Sequence, residues 1–420
     1  MREPLTMRPA ADLPALLRRT QADPRSWRSP LRGTWLTSVL GAVLLVGLTL
    51  VLVTGFLSYA AYDPQLGGSN DQTPQAGLLA RWVFFDWPTS PAWIYRVNQG
   101  THVLLGIALI PIVLFKLWSV APRLFAWPPV TGVVHALERV SILLLVGSTL
   151  LLLVTGVMNV QYDYAWGFSF YTGHFYAAWV FVAAFGTHVV LKLPTMVRTL
   201  RSGPPEHDEL AAQDPAEQTI SRRGALAAVG GSSVTLLALS LGQSVDPLRG
   251  TALLSPRGQV RGDGPNDFQV NTTFAETGVD ETETGSSWRL RLEGPGGSAV
   301  LDRADLLAMQ LRTEELPIAC VEGWSTSQSW TGVRLRELAA LVGGQDAESV
   351  FVQSMQRGGA FSTMTLSDTQ LRADRTLLAL KVNGVDLSLD HGFPARLIIP
   401  GAPGVRNTKW VETLVFGVPA

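Results

Sequence analysis

PIACVEGWSTSQSWTGVRLRELAALV, residues 317–342, holds Cys320, the only cysteine among 420 residues. An apolar run precedes the thiol, and Trp324 and Trp330 follow it. One cysteine cannot form an intrachain disulfide, a cysteine-built zinc site or an iron–sulfur cluster. CxxCH is absent, which excludes a covalently attached c-type haem. A lone cysteine is more often a small buried filler, and other uses stay open. The choice depends on where the thiol sits and on which groups lie near it.

The length is enough for two to four domains. A net charge of −1 leaves no basic footprint for nucleic acid. The first 245 residues carry long apolar runs, and the rest reads as a soluble domain.

A helix needs about 20 residues to cross a hydrocarbon core of ~30 Å. Five runs are that long, near Trp35–Tyr59, Gln99–Ala121, Val140–Val160, Tyr171–Leu193 and Gly224–Ser244. The first contains LGAVLLVGLTLVLVTGF and the third SILLLVGSTLLLLVTGV. Both are apolar all round, beyond what a soluble core helix requires. The first run starts too late, and is too long, for an ordinary cleaved signal.

Flanking arginines set the expected orientation, because positive charge gathers on the cytoplasmic side. Arg18, Arg19, Arg25, Arg28 and Arg32 precede the first run. Arg123 and Arg139 flank the second connection, and Arg198, Arg201, Arg222 and Arg223 the fourth. QYDYAWGFSF, the third connection, has no Lys or Arg. The first connection sets Arg81 and Arg96 against Asp63, Asp71 and Asp86. The expectation is a multi-pass plasma-membrane protein in contact with lipid. Its N-terminus is expected in the cytoplasm and its C-terminal domain outside.

An ionisable residue inside a membrane is costly and marks function. His102 lies near the outer end of the second run, and His174 and His188 lie on the fourth. Fourteen helical residues separate the latter pair. They therefore share a face, about 40° apart and ~21 Å along the axis. One helix so offers an imidazole towards each side of the bilayer, as two stacked haems require. His102 and His174 are expected at similar depth and can hold one haem from opposite faces. The inner partner of His188 is less plain: fourteen residues beyond His102 stands Lys116. His135, in VVHALERV, is either that partner or an interfacial residue. His207, in RSGPPEHDELAAQDPAEQ, is expected to be solvated. The bland alternative for each membrane histidine is an interfacial place or a hydrogen bond to backbone.

On His102, His174 and His188, residues 33–195 resemble the four-helix, quinone-linked cytochromes b of respiratory dehydrogenases and reductases. The resemblance implies haem b, one or two, and a quinone or quinol partner. The first run departs from some members by lacking an inner histidine ligand. SRRGALAAVGGSSVTLLALSLG, from Ser221, resembles a twin-arginine export signal without the usual downstream Phe-Leu-Lys. It serves equally as a positive-inside anchor for the fifth run.

From Asp246 the composition shifts to Gly, Pro, Thr and Asp. WRLRLEG, SVFVQSM, TLLALKVNG, ARLIIPG and VETLVFG read as short strands. LDRADLLAMQ and RLRELAALVG carry the apolar i, i+3, i+4 spacing of short helices. An α+β domain is expected here. Cys320, Glu322, Gly323, Trp324, Trp330, Gly332 and Leu335 resemble the molybdopterin-binding core of the sulfite-oxidase family. In that family the cysteine ends a strand and its sulfur binds molybdenum, which suits a soft thiolate. FQVNTTF, with Asn271 at its centre, resembles the family's early cofactor-contact segment. DHGFPARLIIPGAPGVRNTKWVETL resembles the late one. There His391, Arg396, Arg406 and Lys409 match positions that approach the pterin or its phosphate, and Gly401 and Gly404 permit close backbone approach. Arg357 faces either substrate or solvent. Trp324 and Trp330 are either core or packing around the site, and Arg334 and Arg336 are expected on an exposed helix face. Sulfite-oxidising members place a tyrosine and clustered arginines beside the metal, whereas GGAFSTMTL here offers Phe361.

The expected architecture is multi-domain: an all-α transmembrane bundle of five spans plus an α+β sulfite-oxidase-like molybdopterin domain. Its segments are a cytoplasmic 1–32, a cytochrome b-like 33–195, a linker 196–223, a fifth span 224–245 and an extracytoplasmic 246–420. The expected activity is molybdenum-dependent oxidoreduction of a small molecule, with Cys320, Arg357 and Phe361 nearest the chemistry. Reduction of an oxidised compound such as a sulfoxide is one direction. The alternatives are a sulfite-type dehydrogenase and a non-catalytic binding module on a haem relay.

Overall fold

Five long helices come first in the chain: α1 (Thr34–Tyr62), α2 (Ile94–Leu124), α3 (Val133–Gln161), α4 (Phe170–Ser202) and α5 (Arg222–Leu241). Each is long and apolar enough to cross a membrane. They contain the five expected runs, except that α5 stops at Leu241, ahead of Ser244. This computed structural model describes residues 28–62, 85, 87–125, 131–161, 165–168, 170–204, 208, 211–212, 220–257, 262–359 and 361–417. Arg18, Arg19, Arg25, Asp63, Asp71, Arg81, Asp86 and His207 lie outside the described residues.

The chain divides into two compact units, and the division does not follow the element boundaries. Met1–Leu50, Leu105–Gly156 and Gly173–Leu237 form the first. In it, Gly47 lets α1 close on α2, since a Cβ there would stand 2.8 Å from Leu109. Lys116 Nζ caps the Thr37 carbonyl at 2.9 Å, and Lys192 pairs with Glu138 between α4 and α3. Large apolar side chains such as Leu143 and Val190 point outwards.

Val51–Leu104, Val157–Thr172 and Ala238–Ala420 form the second unit. Its two sheets follow from alternating burial. One runs β2-β1-β10-β5-β6, with β1 (Leu290–Gly294), β2 (Gly297–Leu301), β5 (Ser349–Ser354), β6 (Thr363–Ser367) and β10 (Val411–Phe416). Only β1 and β10 pair in parallel there. Leu290, Leu292, Val350, Val352 and Leu414 turn inwards from it and form the main core. The other sheet runs β3-β4-β7-β8, with β3 (Arg312–Ala319), β4 (Ser325–Arg334), β7 (Leu377–Val382) and β8 (Val385–Asp386). β9 (Arg396–Ile398) pairs with β7. Three short helices, α6 (Arg303–Ala308), α7 (Leu335–Leu341) and α8 (Asp368–Arg372), connect strands. α7 buries Leu335, Leu338 and Ala339, the expected i, i+3, i+4 face.

Every strand expected from the sequence is present, and so are both helices. β4 was not expected, because STSQSWTGVR is polar for most of its length. It pairs with β3 over eight residues and with β7, so the Cys320 segment is a hairpin rather than a variable stretch. Arg334 ends β4 half-buried, whereas Arg336 is exposed as expected.

Candidate functional site

Cys320 follows the last residue of β3, in the turn that joins β3 to β4. The Cys320 N–H donates to the Trp324 carbonyl at 2.8 Å and Gly323 N–H to the Cys320 carbonyl at 3.0 Å. Gly323 has φ +98°, which favours glycine. The thiol is 3% exposed and shares a core with Phe268, Trp324 and Trp330. Burial pushes its pKa up. The backbone N–H groups of Glu322 and Val321 and the positive charges of Arg257 and Lys409 act against that rise. Burial prevails, so the free group is a thiol, and a bound metal would be needed to hold it as thiolate.

A buried basic cluster lies around this turn. Lys409 Nζ donates to the carbonyls of Thr272 and Asp390, each at 2.7 Å. Arg396 donates to the His391 carbonyl at 3.3 Å, and its Nε is buried with no partner. His391 Nε2 donates to the Asn266 carbonyl at 2.8 Å, so Nδ1 carries the lone pair and is buried without a donor. Its ring stacks on Phe268 with centroids 3.7 Å apart. Burial lowers all three pKa values: Lys409 well below its ordinary range, Arg396 to about 9 and His391 to about 3. Among the described residues neither Arg396 nor Lys409 joins an ion pair. Burying such groups without a counter-anion costs several kcal/mol each. A pocket beside Lys409 is lined by Asn271, Thr272, Gln356, Phe361, Thr408 and Trp410.

The cluster fits a molybdopterin. Two buried cations call for an anion, Arg396 Nε has a proton to give, and His391 Nδ1 accepts one. No group of three or more His, Cys, Asp or Glu gathers among the described residues. A metal on Cys320 must therefore bring its other ligands with it.

The remaining expected residues have mixed placements. Asn271 lines the pocket, its Oδ1 accepting from Thr272 N–H at 2.9 Å. Glu322 is buried and accepts from Trp324 Nε1 at 2.6 Å, with burial raising its pKa to about 8. Arg406 is buried, with one guanidinium nitrogen donating to Thr365 O and Gln370 Oε1, both at 2.8 Å. Arg357 is exposed and pairs with Glu283 at 2.6 Å. Phe361 lines the pocket and meets the Tyr62 ring edge-on. The close approaches of Gly401 and Gly404 are to protein. A Cβ would stand 2.7 Å from Pro88 O and 3.1 Å from Ala319 O.

Sequence reasoning missed Arg257, whose guanidinium donates to the Asn271 carbonyl and lies 4.0 Å from Glu322. It also missed the end of α2. Tyr95 packs with Trp87 and Ala319, and Gln99 donates to the Val321 carbonyl. A glutamine in an apolar run was the available signal.

His102 Nδ1 lies 2.9 Å from the Val51 carbonyl, and His174 Nδ1 lies 2.9 Å from Thr155 Oγ1. For His102 that is the backbone bond of the bland alternative, and a bond at Nδ1 is also what fixes ring orientation and tautomer in metal-ligating histidines. Each ring also lies over a glycine: a Cβ on Gly55 would stand 2.9 Å from His102 Cε1, and one on Gly156 3.7 Å from His174 Cε1. LVTG occurs at both places, 52–55 and 153–156, a repeat that could have disclosed the cradle. His188 is half-buried on α4. His135 has a neighbour within hydrogen-bond distance of each ring nitrogen, Thr131 at Nδ1 and Arg139 at Nε2. That placement gives it a local role at the start of α3.

Residues 277–417 match the family described as the oxidoreductase molybdopterin binding domain. The chain is 32% identical over 110 residues to sulfite oxidase of Arabidopsis thaliana, covering 22% of this chain and 28% of that protein. It is 30% identical over 156 residues to sulfite oxidase of Gallus gallus, covering 30% and 34%. It is 29% identical over 157 residues to the uncharacterized oxidoreductase YuiH of Bacillus subtilis, covering 36% and 78%. The chain thus spans about a third of the two sulfite oxidases it matches. With a strand-end cysteine, a basic buried cluster and these relatives, residues 277–417 are a molybdopterin-binding oxidoreductase domain of the sulfite-oxidase family, the kind that molybdenum-dependent oxidoreductases carry.

Proposed function

We propose that the chain is a membrane-embedded molybdenum-dependent oxidoreductase. It exchanges electrons between the quinone pool, through haem b, and a small substrate on the extracytoplasmic side. The observation that carries this reading is Cys320, buried between Arg257 and Lys409 beside groups that lack an anion. Bound there, molybdenum on its pterin supplies two-electron oxygen-atom transfer. The protein's part is to hold the thiolate, neutralise the cofactor's phosphate with Arg396 and Lys409, and meet its polar edge with His391. Asn271 and Phe361 line the pocket that holds Lys409, which we take as the mouth of the site.

Reduction of a sulfoxide fits this mouth best. The step is R2SO + 2e⁻ + 2H⁺ → R2S + H2O, with the two electrons drawn from a quinol. A sulfite-type dehydrogenase, SO3²⁻ + H2O → SO4²⁻ + 2e⁻ + 2H⁺, is the second reading, and the names of the relatives favour it. Against it, the mouth holds Phe361, and Arg357 is neutralised by Glu283. The haem reading is supported by the Nδ1 bonds of His102 and His174 and by the glycine beneath each ring. Flanking arginines and outward apolar side chains on the helices support membrane placement.

The test uses full-length protein in detergent. A haem b spectrum with about one molybdenum per chain is expected. Dithionite-reduced haem is expected to re-oxidise on adding dimethyl sulfoxide, and oxidised haem to stay oxidised on adding sulfite. Reduction by sulfite reverses the direction proposed. Haem without molybdenum leaves a binding module on a relay.

A further inference from the structure

The helix that bears His102 grips the turn that bears Cys320. Gln99, one turn ahead of His102 on α2, donates through Nε2 to the Val321 carbonyl. Its Oε1 accepts from Ser58 Oγ of α1 at 2.7 Å, and Ser58 Oγ lies 3.2 Å from the Tyr95 hydroxyl. The amide orientation follows from these partners, because a carbonyl must face a donor. Gln99 is 3% exposed, so water does not compete for these bonds. Val103, adjacent to His102, lies on Gly323: a Cβ there would stand 2.8 Å from Val103 Cγ1. Between them, Gly100 faces Ser244, whose hydroxyl donates to the Gly323 carbonyl at 2.6 Å. Gln99, Gly100 and Val103 thus hold Val321–Gly323, the residues that follow the thiol, either directly or through Ser244.

A buried glutamine costs stability unless both ends of its amide are satisfied. A leucine would fill the space without that condition. Packing alone therefore does not call for an amide at this position, whereas a fixed bond to the Cys320 turn does.

We infer that Gln99 is the positioning residue that couples the Cys320 thiolate to the His102 imidazole, holding the turn in register and providing the hydrogen-bonded route for single electrons. The inference rests on the haem and molybdenum reading above. Two electrons pass singly in each turnover. No bond to Gln99 forms or breaks, and the two protons consumed at the substrate come from water at the mouth.

The test compares full-length wild type, Gln99→Leu, Ser58→Ala and Val103→Ala, with haem and molybdenum contents measured first. Photo-excited deazaflavin injects one electron, and the haem absorbance is followed as it re-equilibrates with molybdenum. The electron paramagnetic resonance signal of half-reduced molybdenum is the second readout. Gln99→Leu is expected to keep both metals, slow re-equilibration roughly ten-fold and shift that signal. Val103→Ala is expected to slow it by a smaller factor. A Gln99→Leu rate within about two-fold of wild type overturns the inference. If Gln99→Leu loses molybdenum, an unchanged rate in Ser58→Ala, which strips Gln99 Oε1 of its donor, overturns it instead. A wild-type chain that lacks haem b ends the underlying relay reading. Wild type with both metals and insensitive variants ends only the role of Gln99.

Discussion

Cys320 draws its chemistry from opposing influences at short range. Desolvation favours the thiol, whereas Arg257, Lys409 and two backbone N–H groups favour the thiolate. A bound metal settles the balance, since a ligand sulfur is deprotonated. Arg357 stands apart from this site. Its partner Glu283 is exposed, and solvent screens such a pair. Arg357→Ala is expected to leave turnover within about two-fold of wild type. A loss of roughly 10²-fold in steady-state assay would return it to the reaction. His391 gives a pH signature. Its pKa of about 3 in the folded chain lies below its ordinary 6.5, so the unfolded chain binds the extra proton between those values. The stabilisation is complete above about pH 6.5 and is lost as pH falls towards about 3. The thermal midpoint, followed by tryptophan fluorescence, should therefore drop from about pH 7 to about pH 5 more steeply in wild type than in His391→Gln. Parallel profiles would contradict this.

Strands and helices explain what could be read in advance. α7 and the hydrophobic strands announced themselves by period, because one face of each meets the core. Cys320 was singled out through its motif: with Glu322, Gly323, Trp324 and Trp330 it resembles the molybdopterin-binding core of the sulfite-oxidase family, whereas a solitary thiol alone reads as buried filler. β4 was not legible, since most of its side chains are polar and its place is fixed by partners β3 and β7. Arg257 and Tyr95 were illegible for another reason, and Gln99 signalled only that a polar residue stood in an apolar run, not what it met. They reach the site from segments far away in sequence, and no local pattern encodes that meeting. Gly332 was recognised as a motif position, but its physical reason is pairing. A Cβ there would fall 2.0 Å from Leu378 O, where β4 shifts register against β7. Gly332→Ala is expected to destabilise the domain by about 3 kcal/mol in denaturant unfolding. An unchanged midpoint would show that β7 gives way freely.

At the scale of the whole chain, five apolar helices and a polar two-sheet domain divide the labour. The helices carry His102, His174 and His188, and the sheet domain carries Cys320 near Arg257 and Lys409. Cys320 is buried, so one introduced cysteine makes a clean probe of sidedness. In intact cells a membrane-impermeant maleimide is expected to label Asp346→Cys, on the sheet domain, and to spare Arg198→Cys, near the end of α4. The reverse pattern would invert the orientation. The central claim is that one sulfur holds molybdenum. Molybdenum assayed in purified full-length Cys320→Ser, beside wild type and with turnover of a sulfoxide measured in parallel, tests it most directly. The account predicts molybdenum content well below that of wild type and a fall in turnover of at least about 10²-fold. Full metal content and full turnover in Cys320→Ser would contradict it.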